Sequence, residues 1–135
     1  MSDHSEERNF HGTPETTQLR QLVEQTLAWD LRSPEDVPEV DHTLGVIEGI
    51  REQASLLSDV LQAAVERMPQ DSDVCRRVQA TLSEARGRLT YGAPPERHRA
   101  AARAQNLARL GQALLQAVHL VEREAPDSLI PPPRT

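Results

Sequence analysis

The chain contains no lysine; all 15 basic side chains are arginine. It has one cysteine, Cys75, and 2% aromatic residues, a single Trp, Tyr and Phe. One cysteine excludes an intramolecular disulfide and a multi-cysteine zinc site, and it fits a reducing compartment. With so few rings and an apolar share of 37%, the core must be aliphatic. That suits helix-on-helix packing better than a β-sandwich. No stretch approaches the ~18 apolar residues of a membrane span. Met1 to Gly12 has no apolar region of the kind a signal peptide needs, so the expected location is the cytoplasm, away from membranes. The missing lysine has two readings. A GC-rich genome favours arginine codons; selection for bidentate anion binding favours the guanidinium. The first is preferred, because the bias runs through the whole chain.

What is present is enough for one domain: 135 residues can bury a core without metal or disulfide. The net charge of −6 is unevenly spread. Residues 1–73 hold 16 carboxylates and 5 Arg, whereas residues 74–135 hold 10 Arg and 5 carboxylates. The acidic half and the basic half can pair with each other, or the basic half can face a phosphate-bearing ligand.

Proline, glycine and capping residues divide the chain into rods. Residues 1–12 read as a disordered tail. Thr13-Pro14-Glu15 starts a first helix, with Leu19, Leu22, Val23 and Leu27 at helical spacing up to about Asp30. Ser33 to Pro38 is a break with room for one helical turn. A long second helix follows from near Pro38. Val40, Leu44, Ile47, Ile50, Ala54, Leu57, Leu61, Ala64 and Met68 step by three or four until Pro69 stops it. Gln70 to Asp73 is a tight turn into a third helix striped by Cys75, Val78, Leu82, Ala85 and Leu89. Tyr91 to Pro95 is a stop. A fourth, alanine-rich helix runs from about Pro95 to Glu124. Pro126 to Thr135, with Pro131-Pro132-Pro133, reads as an extended tail. The expected fold is all-α: a four-helix, mostly up-down antiparallel bundle over residues 13–125 with disordered termini. The second, third and fourth helices form its centre, and the first covers one side.

The order of residues resembles a known family. The carrying segments are Leu57-Ser58-Asp59-Val60 and Val65-Glu66-Arg67-Met68-Pro69-Gln70-Asp71. Cys75-Arg76-Arg77-Val78, Leu82-Ser83-Glu84-Ala85-Arg86-Gly87-Arg88-Leu89 and Arg103-Ala104-Gln105-Asn106-Leu107-Ala108-Arg109 continue it. They are similar to a family of small uncharacterised actinobacterial proteins often labelled as natural-product biosynthesis proteins, over about residues 19–124. Glu52-Gln53 stands where that family often has Gly-His. The resemblance implies a helical fold and a bacterial, natural-product setting; it implies no activity and no functional residues.

No nucleophile elbow, phosphate-binding loop or dinucleotide fingerprint occurs. Glu39 and His42 spell a Glu-x-x-His pair, but a di-iron bundle needs two such pairs and two further carboxylates. His119 and Glu122 are a second, isolated pair at helical spacing. Cys75 falls on the apolar stripe of its helix, where a small hydrophobe is expected rather than a reactive thiol. Gly45 and Gly49, one turn apart, would let another helix approach closely. These residues support no cofactor and no catalytic set. A metal enzyme built on Glu39, His42 and His119 is the third-ranked reading.

The leading reading is a non-catalytic interaction or accessory protein that binds a protein partner or a second copy. Its candidate face is Val40, Leu44 and Ile47, with Leu115 and Leu120 as further apolar positions expected to be exposed. The second reading is a nucleic-acid-associated regulator that uses Arg86, Arg88, Arg97, Arg99 and Arg103. Internal pairing of those arginines is favoured over it, because no aromatic platform accompanies them.

Overall fold

A computed structural model describes residues 14–89 and 96–129. The tail over residues 1–12, the Thr13 cap, the stop at Tyr91 to Pro95 and the triplet Pro131 to Pro133 lie outside them. Among the described residues there are four α-helices and no strand. These are α1 (Pro14–Leu27), α2 (Val40–Glu66), α3 (Asp73–Leu89) and α4 (Arg97–Glu124). Single 3₁₀ turns occupy Pro34–Asp36 and Pro126–Leu129. No described helix is long and apolar enough to cross a membrane.

Each rod forms where its apolar spacing and its punctuation agree. On α1, Thr16, Leu19, Val23 and Thr26 are buried at steps of three and four. The helix closes earlier than Asp30: the Trp29 N–H bonds to Thr26 O at 3.3 Å, which tightens the last turn. The predicted break holds its one turn at Pro34–Asp36. On α2, Thr43, Ile47, Ile50, Ala54, Leu57, Leu61 and Ala64 are buried at alternating steps of four and three, a heptad stripe. Ser72 Oγ accepts from the Cys75 N–H at 3.3 Å and caps α3. Cys75 is fully buried, the small core hydrophobe its place in the stripe predicts.

The helices alternate in direction, and side-chain contacts fix their register. Leu22 lies on Gly49, and the Trp29 ring lies 6.1 Å from that of His42, so α1 and α2 are antiparallel. Leu19 and Val23 lie on Gly111 while Gln105 reaches Thr26 and Trp29, so α1 and α4 are antiparallel too. It follows that α2 and α4 run parallel. They make the most extensive helix contact in the bundle. This refines the expected centre: the core pair is α2–α4, with α1 and α3 on either side and barely touching each other.

The physical reason lies in α4. Ala100, Ala101, Ala104, Ala108, Gly111 and Ala117 are all buried among Leu107, Leu114, Val118 and Val121. Small residues spread around the helix let three neighbours approach its backbone together. A Cβ on Gly111 would stand 3.0 Å from Val23 Cγ2 and 3.2 Å from Leu19 Cδ1. Gly49 plays the same part for Leu22, at 3.3 Å, whereas a Cβ on Gly45 would meet nothing within 4 Å. The expected close approach therefore holds at Gly49 and not at Gly45.

Beyond α4 the chain differs from the extended tail expected from Pro126 onward. Pro126–Leu129 makes one more turn, Leu129 is buried, and the Arg67 guanidinium donates to Ser128 O. Proline at the start of a turn lacks only an N–H that would be unpaired there, and Leu129 supplies apolar burial.

Three substitutions have a defined effect on stability. Gly111→Leu should lose about 2–3 kcal/mol by wedging α1 off α4, whereas Gly45→Ala should gain about 0.5–1 kcal/mol from helix propensity alone; urea titration of both variants measures this. Thr43 is fully buried and its Oγ1 has no hydrogen-bond partner among the described residues. Thr43→Val should therefore raise stability by about 1 kcal/mol, read as an upward shift in Tm.

Candidate functional site

Because α1 and α3 hardly touch, the outward side of α4 between them is open. An open groove of about 820 Å³ runs there. Its floor is the second half of α4, with Gln112, Gln116, His119, Leu120 and Arg123; Arg20 and Val23 of α1 form one wall, and Arg77 and Val78 of α3 the other. Val23, Val78, Leu115 and Ala117 close the floor against the core, and Leu120 is half-buried above them. Glu24 is the one carboxylate in the lining, against three guanidinium groups and one imidazole. The guanidinium groups of Arg77 and Arg123 carry no ion pair among the described residues. Apolar side chains at the base with guanidinium groups around them suit an amphipathic, acidic surface.

The apolar face singled out from the sequence does not assemble. Val40 is half-buried and Leu44 is 40% exposed, but Ile47 is 3% exposed and belongs to the core. The segment between α1 and α2 folds back over this end of the bundle, with Val37 buried. Leu115 is buried as well, while Leu120 reaches the groove.

Of the five arginines of the candidate basic surface, three reach other parts of the fold and two pair locally. Arg97 Nε donates to Val37 O at 3.0 Å and Pro38 O at 3.2 Å, and its Nη2 lies 3.5 Å from Glu39 Oε1. The Arg103 guanidinium donates to the Arg88 carbonyl near the end of α3, and that of Arg86 to Gln62 Oε1 on α2. Arg88 pairs with Glu84 at 2.9 Å and Arg99 with Glu96 at 3.9 Å. Of these ion pairs, only Arg97–Glu39 joins the acidic half to the basic half. The arginines serve mainly backbone and local partners.

Glu39 and His42 do not converge with His119: Glu39 faces Arg97, His42 lies by Trp29, and His119 lines the groove. Among the described residues, no three His, Cys, Asp or Glu side chains come together in a way that could hold a metal ion. The groove was not legible as a site, because Arg20, Arg77 and Arg123 are scattered along the chain. The signal in the sequence was the spacing of Gln112, Gln116 and His119 among the apolar residues of the second half of α4.

At the start of α4 the Glu96 carboxylate accepts from the Arg99 N–H at 2.9 Å and the His98 N–H at 3.1 Å. These two bonds, the first above all, hold its carboxyl below the usual carboxylate range.

A family described as "Family of unknown function (DUF6415)" matches residues 17–123 of the chain. No curated protein and no solved structure matches it.

The cap gives a pH-dependent outcome. The folded-state pKa of Glu96 lies below the unfolded value, so its contribution is complete above the unfolded carboxylate pKa and disappears as pH falls through the folded one. Glu96→Ala should melt below wild type at neutral pH, and the two Tm curves should converge on acidification.

Proposed function

The chain belongs to this family of unknown function, and on that premise we propose that it is a non-catalytic interaction protein whose working surface is the α1–α4–α3 groove. The observation that carries the reading is the groove's chemistry. Val23, Val78, Leu115 and Ala117 lie at its base beneath half-buried Leu120, and Arg77 and Arg123 beside them carry no ion pair among the described residues. Burial of Leu120 beneath a partner supplies apolar contact, and the guanidinium walls select carboxylates and fix orientation. The bacterial natural-product setting implied by the family resemblance is where such a partner would be sought. The nucleic-acid reading is weaker here, because Arg86, Arg97 and Arg103 already donate to groups within the fold.

Site-specific photo-crosslinking tests this reading. A photoreactive residue at Thr81, on the groove wall, should give a discrete protein adduct in the native cell. The same residue at Gln79, which is exposed and does not line the groove, should give none. Adding Arg77→Glu and Arg123→Glu should reduce the Thr81 adduct by on the order of tenfold. Equal adducts from both positions, or none from Thr81, would exclude the groove as the working surface.

A further inference from the structure

The surface that fits the groove is present on the same chain. On the outward side of α2, Glu48, Glu52, Ser55, Leu56 and Asp59 are all exposed. Their spacing of i, i+4, i+7, i+8 and i+11 places them on one face of the helix. Leu56 is 47% exposed, and it and Leu44 are the exposed large hydrophobics among the described residues. Glu48, Glu52 and Asp59 carry no ion pair among the described residues. Arg51, half-buried, is the only cation within α2.

The groove floor repeats that spacing. Gln112, Gln116, His119, Leu120 and Arg123 stand at the same five offsets, and both strips extend about 17 Å along their helices. Position for position, Leu56 corresponds to Leu120 and Asp59 to Arg123. Glu48 and Glu52 correspond to the two glutamines, within the range of long side chains from the walls.

Direction matters too. The helices α2 and α4 run parallel within one copy, and the groove opens on the side of α4 away from α2. A neighbour displaced sideways, without rotation, therefore brings its α2 onto this α4 pointing the same way. We propose that the groove receives the acidic outer face of α2 from a second copy of this chain, so that copies associate side by side in an open row. The contact is heterologous, with one surface of each kind on every copy, so it does not close at two. This inference rests on the reading of the groove as the binding surface and names its occupant.

Sedimentation velocity on the full chain, over a wide concentration range, tests it. Wild type should grow past two copies as concentration rises. A groove variant, Arg77→Glu with Arg123→Glu, and a face variant, Glu52→Arg with Asp59→Arg, should each associate at least about tenfold more weakly. Mixed in equal amounts, the two variants should form a species that stops at two copies, because one intact groove meets one intact acidic face. Unchanged melting curves for each variant alone show that the fold is retained. Three results overturn the proposal: a wild type that stays monomeric, variants that associate like wild type, or a mixture that remains monomeric. If wild type is monomeric while the Thr81 crosslink to another protein persists, the groove remains a binding surface and only the second copy is excluded.

Discussion

The arrangement depends on how closely other helices can approach the backbone of α4. Its buried alanines and Gly111 leave room for α1, α2 and α3 to press against it from three directions. The gain is short-range dispersion and apolar burial, spread over many small contacts rather than concentrated in a few large side chains. This is how a chain with 2% aromatic residues assembles a continuous core. The same arrangement leaves α1 and α3 barely in contact. The groove is thus a by-product of the packing that stabilises the domain.

Arginine supplies a second layer of order. Arg97, His98 and Gln105, all from the first three turns of α4, donate to carbonyls at Val37, Leu31, Thr26 and Trp29. Arg103 does the same near the end of α3, and Arg67 at the turn after α4. Carbonyls left without partners at helix ends and connections need donors, and a guanidinium offers several in a fixed plane. The contacts at the base of α4 hold the segment between α1 and α2 against the bundle, and that segment covers the end of α2 that looked bare.

Much of the fold could be read from periodicity. The apolar stripe from Val40 to Met68 and the proline stops located α2, and Cys75, Val78, Leu82, Ala85 and Leu89 located α3. The interaction surface could not be read in that way. Ile47 and Leu44 are three residues apart in the same stripe, yet one is in the core and the other at its edge; only the positions of α1 and the connecting segment decide which. The charge split suggested pairing between halves, but arginine reaches carbonyl groups as readily as carboxylates, and sequence carries no record of which carbonyls a helix end leaves open. Arg20, Arg77 and Arg123 become neighbours only once three helices are packed.

The alternation of the rods has a consequence for attachment. Four passes bring the chain back toward the pole it set out from, so Pro14 and Leu129 lie toward the same pole, while the turns around Pro34 and Glu96 occupy the opposite one. A peptide bridge from Leu129 back to Pro14, in place of the residues beyond them, would make the domain a closed ring, and a cut at the far pole would then give a permuted chain with the same packing.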